Sequence, residues 1–97
     1  MIDKRIKVHE KYIDKEIGTT TCYFSAEKSL LEELFPGKYP EAISMEISVE
    51  FPSGCSEPNY ADVSISPVNA NGEAYDWIDI DISYEEIDVL INMGLAA

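Results

Sequence analysis

The sequence predicts an α+β fold: a single five-stranded, mostly antiparallel sheet with two short helices on one face, in the order ββαβββα. Five segments alternate apolar and polar side chains with a period of two, which is typical of strands that bury one face. Two other segments place leucine and isoleucine at helical spacing, one after the second strand and one near the C-terminal end. Antiparallel strands with one polar face leave the apolar face for the helices to cover.

The first two strands are predicted at residues 4–12 and 19–25, and the short charged turn between them favours a hairpin. Glu10 interrupts the apolar side of the first strand, which indicates a strand that either frays or lies at the edge of the sheet. The second strand is rich in β-branched and aromatic residues, and its alternation places Cys22 and Phe24 on the core side.

The first helix is predicted directly after the second strand. Its N-cap is expected at Ser25 or Ser29, because a serine hydroxyl can accept a hydrogen bond from a free backbone N–H at a helix start. Pro36 and Gly37 end the helix. The apolar residues with helical spacing are Leu30, Leu31, Leu34 and Phe35.

The third and fourth strands are predicted at residues 42–51 and 60–68, with a loop at 52–59 between them. The third strand has the most regular alternation in the chain, with Ile43 and every second residue up to Phe51 on the core side. A proline near the end of the fourth strand indicates an edge or a bulge there.

The fifth strand is predicted at residues 73–82, after an Asn-Gly turn that favours a hairpin. Its isoleucines would face the core, and Trp77 would lie on the opposite side. Ser83 and Glu86 then form a capping box, with serine at the N-cap and glutamate three residues later, and the second helix ends near Gly94.

Charge is distributed unevenly along this chain, whose 97 residues are expected to form one domain spanning 1–97. All seven Lys and Arg occur in the first 38 residues, whereas the 59 residues after Lys38 contain twelve carboxylates and no base. The net charge of −12 therefore belongs to the C-terminal part. Nucleic acid and anionic membranes repel such a surface, so neither is expected to be a direct partner.

The alternation of the strands sorts part of this charge onto the polar face of the sheet. Aromatic surface beside carboxylates suits a lysine or arginine from a basic protein surface, through ion pairing and cation–π contact. The alternative is an ordinary solvated face, with the tryptophan covered by the 52–59 loop or a chain end. The residues predicted to bind a basic partner are Glu46, Glu50, Asp62, Tyr75, Trp77, Asp79 and Asp81.

No motif in the sequence predicts catalysis, a cofactor or a metal site. His9 is the only histidine, which argues against a histidine-based zinc site or a Ser-His-Asp triad. The acids near the C-terminal end lack the spacing of a calcium loop, and no glycine-rich phosphate motif occurs. Cys22 is expected to be a buried apolar residue and Cys55 a loop thiol.

The sequence also contains no apolar run of about 18 residues and no secretory signal at its start, which predicts a cytoplasmic protein. The expected function is a non-enzymatic binding module for a basic protein. Three alternatives remain: a nucleic-acid-mimicking inhibitor from a phage or mobile element, a homodimer or accessory subunit that pairs through a sheet edge, and a ligand-binding protein or enzyme with a pocket under the 52–59 loop.

Overall fold

A computed structural model of the chain describes residues 5–55 and 57–97. It contains one five-stranded antiparallel sheet and two α-helices, which confirms the predicted fold class and element order. The strands lie side by side in chain order. In this part of the chain, neither helix is long and apolar enough to cross a membrane. The elements are β1 (Ile6–Asp14), β2 (Thr19–Glu27), α1 (Lys28–Leu34), β3 (Ala42–Pro52), β4 (Asp62–Asn69), β5 (Ile78–Asp79) and α2 (Tyr84–Ala96).

The predicted hairpin of the first two strands is present, and β1 is an edge of the sheet. Its turn closes through a bond of 2.9 Å from the Gly18 N–H to the carbonyl of Asp14, and Gly18 adopts the positive φ of +72° that this turn requires. The pairing shifts between Val8 and Glu10, so Lys11 falls opposite Cys22. Lys4, the first residue of the predicted strand, lies outside the described residues.

The core lies between the helices and one face of the sheet, called here the helix side. Across β2, β3 and β4, Phe24, Ile47 and Ile65 are direct cross-strand neighbours and are fully buried. Cys22 is buried on the same side, as predicted, and Cys55 lies half-buried in a loop. Burial raises the pKa of the Cys22 thiol, although the positive charge of Lys11 opposes this rise.

The third strand matches its prediction except at its start. Ile43 was expected on the core side but is 55% exposed, because the pairing with β4 shifts between Ala42 and Ser44. Ala42 takes the buried position instead. A bulge of this kind moves the residues before it to the other face of the sheet.

The two helix starts differ from each other. The N-cap of α1 is Glu27, with no side-chain bond, so the prediction of Ser25 or Ser29 was wrong. The reason is that β2 continues to Glu27, whose N–H donates to the carbonyl of Arg5 on the neighbouring chain segment at 3.0 Å. Ser83 caps α2 as predicted, since its hydroxyl oxygen accepts from the Glu86 N–H at 3.2 Å.

The predicted fifth strand is much shorter in the structure. The Asn-Gly turn forms as expected, with the Gly72 N–H donating to the carbonyl of Asn69 at 3.0 Å. A single bridge then joins Ala74 to β4, and regular pairing resumes only at β5. The interruption lies beside Pro67 of β4, which has no N–H to donate to a neighbouring strand.

Candidate functional site

The face of the sheet opposite to the helix side carries the predicted binding residues, and we call it the open face. Strand register aligns its side chains in rows across the sheet, because directly paired residues point the same way. One row joins Tyr23, Ser48, Ser64 and Asp79 across four strands. The neighbouring rows join Ser25, Glu46 and Ser66, and Thr21, Glu50 and Asp62.

Three carboxylates lie on adjacent strands at one end of this face. Glu50 of β3 is directly opposite Asp62 of β4, a position that sets the two Cβ atoms about 5 Å apart. Asp79 of β5 pairs with Ser64, which places it diagonally from Asp62 at about 7–8 Å. Glu46 lies four residues from Glu50 along β3, or about 14 Å away. The acids are thus concentrated where β3, β4 and β5 meet.

Asp79 is held in position, whereas Asp81 lies beyond the ladder. The Ser64 hydroxyl donates to Oδ1 of Asp79 at 2.8 Å. Backbone pairing ends with the bond from the Ile80 N–H to the carbonyl of Val63 at 3.0 Å. One further step in this register would set Asp81 opposite Asp62, and like charges in direct opposition destabilise a sheet. The ladder ends before these two carboxylates are brought into direct opposition.

Trp77 lies on the open face and is 47% exposed. Its ring centroid is 6.1 Å from that of Tyr23, with the two planes tilted by 52°. Because Tyr23 belongs to β2, the indole extends across the face from the β5 side toward the middle of the sheet. The alternative was that the 52–59 loop or a chain end covers Trp77. Among the described residues, neither encloses it, since about half of its surface is exposed.

Tyr75 does not share this face with Trp77, contrary to the prediction. The Tyr75 N–H donates to the carbonyl of Pro67 at 2.8 Å, and Ile78 pairs with Ile65. Asp76 and Trp77 therefore lie opposite a single residue of β4, Ser66, which is a β-bulge. This bulge turns Tyr75 to the helix side, where its ring packs edge-on against that of Tyr39 at 5.1 Å.

The described cations engage other parts of the molecule. Arg5 forms an ion pair with Glu33 of α1. Lys38 lies 5.3 Å from the ring centroid of Phe35. The ammonium groups of Lys11 and Lys28 each donate to a backbone carbonyl, those of Ala97 and Pro40. No cation among the described residues pairs with a carboxylate of the open face.

Lys7 is the basic residue that β1 contributes to the open face. It pairs with Ser25 of β2, so Ser25 separates it from Glu46 of β3. A strand with a basic side, such as β1, would form cross-strand ion pairs if it lay beside an acidic strand. Its neighbour β2 instead carries threonine, tyrosine and serine on this face, so the basic and acidic parts of the open face are set apart.

Tyr23 is the one residue of the candidate site that sequence reasoning did not select. Its position between Cys22 and Phe24 placed it on the polar face, and this alternation was the available signal. Its contact with Trp77 required the strand order, because the two residues come from opposite halves of the sheet.

Several clefts lie next to these elements. One of about 280 Å³ lies beside residues 58–63 and is lined by Asp62, Asp79 and Asp81, and its volume is just under the range of about 300–1,000 Å³ that is usual for ligand pockets. Another of about 490 Å³ lies between α1 and α2 and is lined by Leu30 and Leu34 of α1 and Val89 of α2. Residues 5–55 and 57–97 contain no group of three or more His, Cys, Asp or Glu arranged to hold a metal.

Comparisons with protein-family models, with curated proteins and with solved structures gave no significant match. The functional inference therefore rests on the geometry of the open face. That face combines closely spaced carboxylates with exposed aromatic surface, and both attract cations.

Proposed function

We propose that the chain is a small, non-enzymatic binding module that presents the open face to a basic surface of another protein. One observation carries this proposal: Glu50, Asp62 and Asp79 lie on three adjacent strands, and no described cation is paired with them. A solvated face could be built with mixed charges and less self-repulsion. A basic partner would relieve the repulsion that this arrangement creates in the free protein.

The distribution of charge also favours a partner rather than an internal role. The described bases other than Lys7 lie on the helix side, in turns or at the edge strand, so the negative potential of the open face extends into solvent. Such a potential accelerates the approach of a basic protein and makes its binding sensitive to salt.

The test is affinity capture from the native host lysate at low and moderate salt, followed by affinity measurement with the purified captured protein. A variant with Glu50, Asp62 and Asp79 all changed to lysine should lose at least about 100-fold in affinity, because three favourable charge contacts become repulsive. The matched control changes Glu41, Glu73 and Glu85 to lysine. It alters net charge equally, at exposed sites away from the open face.

Retained affinity in the open-face variant, or an equal loss in both variants, would show that this face is not the binding surface. Affinity that does not fall between 50 and 300 mM salt would also contradict the proposal, since exposed charge pairs are screened over this range.

The same geometry supports a narrower second candidate, a nucleic-acid mimic that occupies the nucleic-acid-binding surface of its partner. The supporting observation is the spacing of about 5–8 Å from the position of Asp62 to those of Glu50 and Asp79 on the two neighbouring strands, which gives a dense array of negative charge like that of a phosphate backbone. This candidate predicts that the captured protein binds DNA or RNA, and that nucleic acid displaces the chain. A partner whose binding nucleic acid does not affect would contradict it.

Pairing between copies through β1 is less favoured by the structure. The bulge between Val8 and Glu10 and the charged side chains along this edge strand both oppose edge-to-edge association. Light scattering that showed a mass increasing with protein concentration would favour the homodimer instead.

A further inference from the structure

The aromatic pair on the open face points to the type of side chain that the partner presents. We propose that Trp77 and Asp79 together receive an arginine, whose guanidinium stacks on the free face of the indole and pairs with the carboxylate. This inference rests on the proposed function, and it adds a preference for arginine over lysine that a merely acidic surface would lack.

The first argument is the relation between the two residues along the chain. Trp77 directly precedes β5 and is two positions from Asp79, so their Cα atoms are at most about 7 Å apart, and the contacts of Trp77 with Tyr23 and of Asp79 with Ser64 place both on the open face. A planar guanidinium placed over the indole can therefore direct its N–H groups at the carboxylate. Arginine suits this geometry because it stacks on aromatic rings and donates in a fixed fork.

The second argument is that both groups are already held in place. The indole packs against the ring of Tyr23 at a centroid distance of 6.1 Å, which limits its rotation while 47% of its surface stays exposed. The Ser64 hydroxyl fixes Oδ1 of Asp79 and leaves Oδ2 for a second donor. Side chains positioned before binding lose less entropy when a ligand arrives.

The third argument is that the described part of the chain supplies no cation to this ring. Its cation–aromatic contacts are those of Lys38 with Phe35 and Tyr39, on the helix side. A half-exposed tryptophan between carboxylates is thus open to a cation from outside the chain. Tryptophan and arginine are both enriched among the residues that contribute most to protein–protein binding.

The test uses two labelled peptides of equal length and charge, one with three arginines and one with three lysines, both spaced by glycine and serine. Fluorescence anisotropy at 50 and 150 mM NaCl gives both affinities. We expect the arginine peptide to bind about 2- to 10-fold more tightly, which is the range of a cation–π contribution at a partly exposed site. Since Trp77 is the only tryptophan, its emission should change on binding and report the contact directly.

Substitutions of single aromatic residues then show whether Trp77 causes the preference for the arginine peptide. Trp77→Leu should reduce the affinity ratio of the two peptides to about one, because only charge attraction remains. Trp77→Phe keeps an aromatic face and should retain part of the preference. The matched control is Tyr12→Leu, which removes a 59% exposed aromatic ring from β1, at the opposite edge of the sheet from β5, and should leave the ratio unchanged.

Equal affinities of the two peptides for the wild-type chain would overturn the arginine preference and leave the acidic binding face intact. A preference that survives Trp77→Leu would also overturn it. If neither peptide binds at 50 mM salt, the arginine site is wrong, and the capture experiment with the open-face and control variants decides separately whether the acidic face binds a partner.

Discussion

At the scale of single residues, Gly94 determines how closely α2 approaches the sheet. It is a buried residue within the helix, and a methyl group added there would collide with Sγ of Cys22 and lie 3.0 Å from its Cβ. Glycine normally weakens a helix interior by about 1 kcal/mol relative to alanine. Here the absence of a side chain is what lets α2 pack directly on β2.

Gly94→Ala should therefore destabilise the protein, although alanine is the better helix former. We expect a loss of about 1–3 kcal/mol in the free energy of unfolding, the usual range for an overpacked core, measured by urea denaturation. Adding Cys22→Ala removes the sulfur that the new methyl group meets. The double variant should recover part of the loss, so that the two changes together cost less than their sum.

Full recovery is not expected, because the Cβ of residue 22 would remain close to the new methyl group. Simple additivity of the two changes would show that the contact between α2 and β2 does not limit the packing.

At the scale of elements, the sequence predicted those features that depend on local pattern. The alternation of β2 and β3 and the capping box of α2 are written in consecutive residues, and the structure contains all three. The start of α1 was missed because it depends on pairing: β2 continues past Ser25 to Glu27, where it still bonds to the segment of Arg5. No local signal indicates that extension.

In the candidate site, too, local pattern placed some residues correctly, whereas the position of others depends on how the strands pair. Alternation correctly placed Glu46, Glu50 and Asp62 on one face, because β3 and β4 are regular over these residues. Tyr75 was misplaced because one extra residue in the bulge reverses the alternation for everything before it. Pro67 indicated an edge or a bulge, but which segment lies opposite this proline could be known only from the strand order.

Two of the serines predicted as helix caps, Ser29 and Ser83, give a matched experiment at this scale. Ser83→Ala removes the acceptor for the Glu86 N–H and should lower the free energy of unfolding by about 1 kcal/mol. Ser29→Ala lies within the first turn of α1 and makes no capping bond, so it should be neutral or slightly stabilising. Thermal melts of both variants test this difference, and equal destabilisation would show that the bond of Ser83 contributes nothing.

At the scale of the whole molecule, the net charge of −12 should make stability depend on salt. Asp62 is directly opposite Glu50 and diagonal to Asp79, so each of these two pairs is about 5–8 Å apart, which is inside the Debye length of about 10 Å at 0.1 M salt. We expect the free energy of unfolding to rise by about 1 kcal/mol between 20 and 300 mM NaCl as this repulsion is screened.

The control for this prediction replaces the three acids with their amides, as Glu50→Gln, Asp62→Asn and Asp79→Asn. That variant should be more stable than the wild type at 20 mM NaCl and should respond less to added salt. A wild-type protein whose stability falls or stays constant over the same range would indicate that attraction between opposite charges balances the repulsion.

The separation of the two faces of the sheet has a consequence for how this chain can vary. Positions 46, 50, 62 and 79 point away from the core, and their immediate neighbours in the chain point toward it. Substitutions that alter the partner of the open face therefore need not disturb the packing beneath it. Such a scaffold can acquire new binding specificities through a few alternate positions while its fold is inherited unchanged.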